Sequence, residues 1–191
     1  MMPALKRQKR NFTPDEYLAL EDKAETRSEY ESGEIAAMAG GSISHARIIS
    51  NISRLIGNKS LGDFESLPTD IKVWIESSAK FYYPDITMLC GEPIFYKKRD
   101  DTIINPILIV EILSKSTEAK DRGEKFAAYQ SLISLSEYVL VSQDKPKLEK
   151  FTRQNDEAWK YQATIGLKSK VTFDSSKIEL TLEEIYQRVK L

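Results

Sequence analysis

The sequence predicts one α/β domain built on a mixed β-sheet, and three of its segments carry that prediction. Residues 107–113, ILIVEIL, hold six aliphatic side chains out of seven, which is typical of a central strand covered on both faces. A predicted helix and a second apolar run, residues 138–141, follow this strand. A strand–helix–strand unit of this kind has parallel strands, whereas residues 148–152 and 159–164 resemble an antiparallel pair.

Length and composition fit an ordinary globular protein. The chain has 191 residues, of which 41% are hydrophobic and 30% charged, and this suits one domain, residues 1–191, with one sizeable core. A net charge of −1 gives no global basic excess of the kind that marks many nucleic-acid binders, although a local basic cleft remains compatible with it. The single cysteine, Cys90, excludes a disulfide within the chain and any cysteine-based zinc site, and we expect it to be buried.

The N-terminal sequence predicts a cytoplasmic protein. Its first ten residues, MMPALKRQKR, are basic but lack the apolar stretch of a secretory signal, so we expect residues 1–11 to form a flexible basic arm. No apolar run reaches the roughly 18 residues that a membrane-spanning helix needs. We therefore expect no association with a membrane.

Capping signals and apolar spacing mark the elements of the first half of the chain. Thr13, Pro14 and Glu16 form a capping box with proline in the first turn, which predicts a helix to about residue 23. Residues 29–39 predict a turn or hairpin that leads into a strand. A second helix is expected from about residue 44, because apolar residues recur there at helical spacing: Ile48, Ile49, Ile52, Leu55 and Ile56.

The middle of the chain reads as two strands and a loop. Residues 71–75 alternate between apolar and polar side chains, as a half-buried strand does, and residues 80–89 predict one further strand. A polar loop is expected at about residues 91–105, before the central strand.

Two more capping boxes predict the remaining helices. Asp121 and Glu124 are three residues apart, as the two residues of a capping box are, and a helix is expected from Asp121 to about residue 133. Its apolar face would contain Phe126, Tyr129, Leu132 and Ile133. Thr181 is expected to cap a last helix that ends at about residue 189.

Two carboxylates occupy positions in these predicted strands. Glu111 lies inside the apolar run. Burying an unpaired charge there costs roughly several kcal/mol of folding free energy, unless a pKa shift neutralises the carboxylate. Asp85 follows Pro84 in the strand at residues 80–89, and Lys125 opens the helix after the Glu111 strand. An Asp, a Glu and a Lys at the ends of neighbouring elements form the minimum set for a divalent-metal phosphodiesterase site.

The chemistry of such a site assigns each residue a role. Mg²⁺ prefers carboxylate and water oxygens, so Asp85 and Glu111 would share one ion and the carbonyl of Ile112 would add a ligand. Lys125 would orient the attacking water or offset charge in the transition state. A simpler interpretation also fits: Glu111 forms a buried ion pair, Asp85 is a turn residue, and Lys125 is an exposed partner of Asp121.

Four further residues are weaker candidates for the same site. Asp70 begins the strand at residues 71–75 and is either an extra carboxylate or a strand-start residue. Glu29 precedes a glycine-containing turn and is either catalytic or solvated. His45, the only histidine, lies at a predicted helix start beside Gly40, Gly41 and Ser42, where a phosphate fits. Asp121 starts the predicted helix that carries Lys125.

Basic side chains flank the proposed site and are candidates for contacts with DNA phosphates. Lys115, Lys120 and Arg122 follow the Glu111 strand, and residues 97–99, Lys97, Lys98 and Arg99, form a run in the predicted polar loop. A run of charges in a loop is also typical of a merely solvated surface.

Several short motifs occur in order along residues 12–165. They are EY at 29–30, GEI at 33–35, MAGGS at 38–42 with His45, YPDI at 83–86, IVEILS at 109–114 with STE at 116–118, DRGEKF at 121–126 with Tyr129, and EYVLV at 137–141. Together they resemble the Uma-two family of putative restriction endonucleases. The resemblance implies a restriction-endonuclease-like fold of the PD-(D/E)XK superfamily, which has a mixed central sheet flanked by helices.

The resemblance also implies which residues act. Asp85 would be the first acid of the superfamily motif and Glu111 the second. The usual lysine position, two residues after Glu111, holds Leu113, so Lys125 would supply the amine, as in superfamily branches whose lysine has moved to the next helix. Lys115 is nearer in sequence, but about 13 Å of extended chain separates it from Glu111.

The expected function is therefore a DNA endonuclease that depends on Mg²⁺ or Mn²⁺. We expect a homodimer, because cutting both strands of a duplex uses two copies of one site and two-fold symmetry is the commonest way to supply them. The alternative is a catalytically silent nucleic-acid-binding or assembly protein that retains the nuclease fold.

Overall fold

The structure is a computed structural model that describes residues 11–38, 40–59, 63–154 and 158–191. The predicted basic arm, residues 1–11, lies outside these ranges except for Asn11. The helical elements are α1 Pro14–Glu21, α2 Ile43–Lys59, α3 Glu118–Lys120, a π-helical turn Asp121–Lys125, α4 Phe126–Tyr129 and α5 Leu182–Ile185. The strands are β1 Ser28–Glu31, β2 Glu34–Ala37, β3 Phe64–Pro68, β4 Lys72–Ile75, β5 Lys80–Tyr82, β6 Ile86–Cys90, β7 Thr102–Ile103, β8 Leu108–Leu113, β9 Glu137–Ser142, β10 Lys147–Arg153, β11 Trp159–Ile165, β12 Lys170–Phe173 and β13 Ile178–Thr181.

The larger sheet has six strands in the order β11-β10-β9-β8-β6-β3. Strands β8 and β9 are parallel, and every other neighbouring pair in this sheet is antiparallel. The predicted mixed sheet, the parallel strand–helix–strand unit and the antiparallel pair β10–β11 are therefore confirmed. Strand β8 is central and all six of its residues are buried, as its run of aliphatic side chains predicts.

A smaller sheet has five strands in the order β2-β1-β5-β4-β7, and β12 pairs with β13 separately. On one face of the larger sheet, α2, α5 and the β12–β13 pair bury an aliphatic core around Ile52, Ile112 and Val139. On the other face, α4 and strands of the smaller sheet bury a second core that includes Val73, Tyr129 and further residues of β8 and β9. Helices thus cover both faces of the larger sheet, and no helix in the described ranges is long and apolar enough to cross a membrane.

The largest departure from prediction is at residues 80–89, which form two strands instead of one. Strand β5 ends at Tyr82 in the smaller sheet, and β6 begins at Ile86 in the larger sheet. Pro84 lies between them and has no N–H with which to continue a hydrogen-bonded ladder. The three-residue crossing Tyr83–Pro84–Asp85 therefore carries the chain from one sheet to the other.

The helical segment after β8 also differs from prediction. It begins at Glu118, so Asp121 is not its cap, and it ends at Tyr129. Ile133, which was placed on the apolar face, lies beyond the helix and is 96% exposed. Cys90, expected to be buried, is exposed at the end of β6. The capping boxes of α1 at Thr13 and of α5 at Thr181 are confirmed, although both helices end a few residues early.

Candidate active site

The crossing between the sheets places Asp85 beside Glu111. Strands β6 and β8 are neighbours, with Ile86 opposite Val110, so Asp85 comes level with Glu111 where β6 begins. The backbone N–H of Ile112 donates a hydrogen bond to Asp85 Oδ2 at 2.7 Å, and the N–H of Asp85 donates to Glu111 Oε2 at 3.4 Å. The two carboxylates therefore lie together, with Glu111 only 3% exposed and the Asp85 side chain 17% exposed.

Lys125 approaches these acids from the helical segment. Its Nζ lies 3.1 Å from Glu111 Oε1, 2.9 Å from Glu29 Oε1 and 3.5 Å from Asp121 Oδ1. The lysine is 6% exposed, so its side chain points into the site and is not a solvated partner of Asp121. Tyr129 Oη donates a longer hydrogen bond, 3.4 Å, to the same oxygen of Glu111.

A π-helical turn gives the segment this geometry. Asp121 and Lys125 begin and end the turn, and both side chains are buried. Turns of this type are rare and occur frequently at functional sites, because the extra residue changes which side chains share a face. Lys120, just before the turn, consequently lies near Lys125, and the two Nζ atoms stand 5.2 Å and 5.4 Å from the centre of the Tyr82 ring.

Strand β1 supplies two more acids to the site. Glu29 is 7% exposed, and its Oε2 accepts a hydrogen bond from Lys120 Nζ at 2.7 Å. Glu31, two residues further along the strand and therefore on the same face, also pairs with Lys120. Glu29 is thus a buried member of the site, and its charge is shared between Lys120 and Lys125.

His45 contacts the other side of Asp85 from the start of α2. Its Nε2 lies 3.1 Å from Asp85 Oδ2, and its backbone N–H donates to Ser42 Oγ. The Ser42 hydroxyl in turn donates to the Gln143 side chain, after β9, at 2.7 Å. Gly41 packs against the imidazole so closely that a Cβ there would lie 2.8 Å from His45 Nδ1, so a larger residue would displace the ring.

Negative charge is in excess in this site. Five carboxylates, those of Glu29, Glu31, Asp85, Glu111 and Asp121, meet the two ammonium groups of Lys120 and Lys125. Burial raises the pKa of Glu111 well above its ordinary value, and the charges of Asp121 and Asp85 raise it further against the opposing effect of Lys125. The excess is relieved either by a proton on Glu111 or by an additional cation.

The pKa values of the neighbouring groups show which charges persist. Burial alone would lower the pKa of Lys125, but Glu111 and Glu29 raise it well above its ordinary value. Burial would raise the pKa of Glu29, yet Lys125 and Lys120 hold it below the usual range. Burial would lower the pKa of His45, whereas its hydrogen bond to Asp85 and the charge of that acid raise it. Lys125 is accordingly an ammonium and Glu29 a carboxylate at neutral pH.

The donor set fits a hard divalent cation. Among the described residues, no group of three or more Asp, Glu, His or Cys side chains has metal-ligand geometry. Mg²⁺ does not need such a group, because it usually keeps several waters and binds one or two carboxylates together with a phosphate. Asp85 and Glu111 provide those two carboxylates in a site with excess negative charge.

Other residues singled out in the sequence lie elsewhere or in different surroundings. Asp70 is at the surface and pairs with Arg27. Lys97 pairs with Asp15, Arg99 pairs with Asp22 and Asp101, and Lys98 is exposed near them. Arg122 pairs with Glu118 and Glu149, and Lys115 is exposed beyond the end of β8. None of these side chains makes a recorded contact with Asp85 or Glu111 in the described part of the chain.

Sequence reasoning missed Glu31, and it named Lys120 only as a candidate for contact with DNA phosphates, not as a partner of the acids in the site. Glu29 and Glu31 are two residues apart, which is the spacing of one strand face, so the alternation could have revealed Glu31. Lys120 and Lys125 are five residues apart, and a regular α-helix would not place them on one face. Only the π-helical turn brings them together.

The mixed sheets flanked by helices form a restriction-endonuclease-like fold. A crystal structure described as "a putative nuclease belonging to DUF820", from Anabaena variabilis, superimposes with a TM-score of 0.76 at 18% identity, covering 94% of this chain and 99% of that one. At such low identity the similarity establishes the fold alone.

Sequence comparison gives the family. The model of the Uma2 (Uma-two) family, described as "Putative restriction endonuclease", matches residues 14–184, so the chain belongs to this family. Two uncharacterized proteins of Synechocystis sp. are similar to it. Protein sll1609 is 34% identical over 169 residues, which is 87% of this chain and 95% of that protein. Protein slr1290 is 36% identical over 163 residues, which is 83% of this chain and 85% of that protein.

Proposed function

We propose that the protein is a DNA endonuclease that hydrolyses phosphodiester bonds with the help of Mg²⁺ or Mn²⁺. The observation that carries the proposal is the joining of Asp85 to the Glu111–Ile112 segment by two backbone N–H bonds, next to a buried lysine. Membership of the Uma2 family and the fold of the DUF820 protein, described as "a putative nuclease", support the same class of reaction.

Asp85 and Glu111 would hold the metal ion. Strand geometry supports Ile112 as a third ligand, because its N–H faces Asp85 and the carbonyl of a strand residue points to the same edge as its N–H. A bound ion would lower the pKa of a water molecule and offset charge on the phosphate oxygens. Its charge would also replace the proton that burial favours on Glu111.

Lys125 would act through its charge. Its raised pKa keeps the amine protonated at neutral pH, so it is not the base that takes a proton from water. A fixed ammonium in a buried site stabilises negative charge that develops on the phosphate in the transition state. Glu29 and Asp121 hold this ammonium in place, and Lys120 offsets the remaining charge of Glu29.

The position of this lysine in the chain is unusual for the superfamily pattern, because Leu113 occupies the customary place. Leu113 is buried in the core between the sheets and offers no amine. The Lys125 amine reaches Glu111 from the next helical segment, which supports the migrated lysine. The alternative function is that of a catalytically inactive nucleic-acid-binding or assembly protein with the same fold.

A plasmid-nicking assay separates the two functions. We expect the wild type to nick supercoiled DNA with Mg²⁺ or Mn²⁺, and Asp85→Asn or Glu111→Gln to lower the rate by about 100-fold or more, because electrostatic stabilisation of this kind is worth about 3–4 kcal/mol. Asp70→Asn is the matched control, since that acid pairs with Arg27 at the surface. Nicking that survives both site substitutions would indicate a contaminant, and binding without nicking would favour the silent protein.

A further inference from the structure

A small basic cleft lies beside the candidate active site, at the carboxyl ends of the parallel strands β8 and β9. Its volume is about 210 Å³. Ser114 and Lys115 line it after β8, Lys145 and Lys147 line it after β9, and Arg122 closes it from the helical segment. Drug-sized ligands need about 300–1,000 Å³. The cleft therefore suits one small group of a larger ligand.

The charge of the cleft indicates an anion. Four cationic side chains line it, against the two acids Glu118 and Asp144, in a chain whose net charge is −1. Arg122 and Lys147 are partly neutralised by Glu149, at 2.5 Å and 3.1 Å. Within the described ranges, Lys115 and Lys145 form no recorded ion pair. These two lysines, one after β8 and one after β9, carry the cationic charge of the cleft that no ion pair among the described residues neutralises, with Asp144 as the acid beside Lys145.

Residues of both strands connect the cleft to the paired acids. Leu113, which borders it, follows Glu111 by two residues, or about 7 Å of strand. On the β9 side, Gln143 hydrogen-bonds Ser42, whose hydroxyl receives the N–H of His45, and His45 contacts Asp85. A polymer whose phosphate reached Asp85 and Glu111 would pass this cleft with a neighbouring phosphate.

The β9–β10 loop that carries Lys145 is held in a defined shape. The buried hydroxyl of Tyr186 donates to the carbonyls of Ser142 and Lys147 and accepts from the N–H of Lys147. One side chain thus connects both ends of the loop. Because these hydrogen bonds fix the loop, little ordering entropy opposes binding.

We propose that this cleft binds a backbone phosphate of the DNA strand next to the phosphate that is cut. The assignment rests on the proposed function, because it is the DNA substrate that brings a row of phosphates past the paired acids. Lys115 and Lys145 are the contacts, and they read charge and not base sequence. They also offset the repulsion between DNA and the acidic centre.

Binding of a 20-base-pair duplex, measured by fluorescence anisotropy across a salt series, tests the assignment. Full-length protein carrying Asp85→Asn is used with a chelator, so that no cleavage occurs. Adding Lys115→Gln and Lys145→Gln is expected to weaken binding roughly five- to tenfold at low salt. It should also reduce the slope of log K against log salt by about 1, since each phosphate contact contributes about 0.9.

The matched control removes two exposed lysines from other places, Lys23 and Lys177. Lys177 lies in the turn between β12 and β13. In the same turn, the backbone N–H groups of Asp174 and Ser175 donate hydrogen bonds to Glu137, which begins β9, whereas the cleft lies beyond the other end of β9. The control pair should change affinity less than twofold. Equal affinity and slope in the two double variants would overturn the cleft as a site for a DNA phosphate.

Two further measurements distinguish free phosphate from DNA phosphate as the ligand, and failure of the cleft assignment from failure of the proposed nuclease function. If the two double variants bind the duplex equally, while inorganic phosphate binds the control variant and not the cleft variant in calorimetric titration, the cleft takes free phosphate and the DNA assignment is wrong. Plasmid nicking by the wild type, with unchanged DNA binding by the cleft variant, would overturn the cleft and leave the nuclease standing. Weaker DNA binding by the cleft variant, in a protein that never nicks DNA, would support the cleft as a phosphate site and overturn the nuclease function.

Discussion

Lys125 is the cation on which two buried carboxylates depend. Its amine contacts Glu111 and Glu29, which are 3% and 7% exposed. Glu29 also pairs with Lys120, whereas Glu111 has no other cationic partner among the described residues. Removing one partner of a buried ion pair is strongly destabilising, because the other charge stays desolvated. The residue proposed to stabilise the transition state is thus also a structural residue, and an experiment must separate its two effects.

Lys125→Ala is expected to lower the free energy of unfolding by about 3 kcal/mol or more and to abolish nicking. Metal affinity should survive, because the ion would be held by Asp85 and Glu111. Urea unfolding, calorimetric titration with Mn²⁺ and the nicking assay measure these quantities separately. Lys115→Ala removes an exposed lysine and should change stability by no more than about 0.5 kcal/mol. If Lys115→Ala alone abolished nicking, the assignment of the amine to Lys125 would be wrong.

Among the elements, Glu149 links the helical segment to the edge of the larger sheet. Its carboxylate on β10 receives hydrogen bonds from Arg122 of the π-helical turn and from Tyr161 of β11, and it pairs with Lys147. Burial would raise the pKa of Glu149, but Arg122, Tyr161 and Lys147 lower it to about 2. This acid is therefore ionised throughout the range in which proteins normally work.

The lowered pKa makes stability depend on pH in a defined direction. Because the folded-state pKa, about 2, lies below the ordinary 4.5, the contribution of Glu149 is fully present above pH 4.5 and is lost as the pH falls toward 2. Glu149→Gln should cost about 1–3 kcal/mol at pH 7 and distinctly less at pH 3, measured by urea unfolding. Glu118→Gln, which removes the exposed partner of Arg122, should cost under about 0.5 kcal/mol at both pH values. A cost of Glu149→Gln that did not change with pH would contradict this account.

Short sequence patterns predicted the helix starts and the strand that depend only on neighbouring residues. The capping boxes at Thr13 and Thr181 and the buried strand β8 follow from neighbouring residues alone. The split of residues 80–89 does not, because membership of a sheet depends on distant partners: β5 pairs with β1 and β4, and β6 with β3 and β8.

The same distinction holds for the candidate site. Asp85 and Glu111 stand out because an acid inside or beside an apolar strand is unusual, and the structure brings them together. Alternation along β1 could have revealed Glu31, but its partner Lys120 depends on how the π-helical turn packs against Tyr82, which no spacing in the sequence displays. The buried surroundings of Glu29 have the same origin.

For the whole molecule, the proposed reaction makes a prediction about assembly. A duplex has two strands of opposite direction, and two copies of one site related by two-fold symmetry match that geometry. We therefore expect a homodimer, and light scattering after gel filtration should give twice the 21.8 kDa of one chain. Asp85→Asn should give the same mass, because this substitution leaves the outer surfaces almost unchanged.

Mixing experiments test whether the dimer acts as a unit. Wild-type protein refolded with an excess of Asp85→Asn protein forms dimers with one intact site, and these should convert supercoiled plasmid to nicked circles with little linear product. Wild-type protein alone should produce linear DNA. A monomeric mass at working concentrations, or linear product in unchanged proportion from the mixture, would contradict the expectation.

The three-residue crossing that holds Asp85 also has a consequence for the chain while it is being synthesised. The centre needs acids from the smaller sheet, the crossing and the larger sheet, and an amine at Lys125. About two-thirds of the polypeptide must therefore leave the ribosome and fold before the parts of the centre can meet. An incomplete or heat-loosened chain, in which either sheet has opened, holds these groups apart. The proposed cutting activity, and any danger that it would carry for the cell's own chromosome, therefore requires both sheets to be folded.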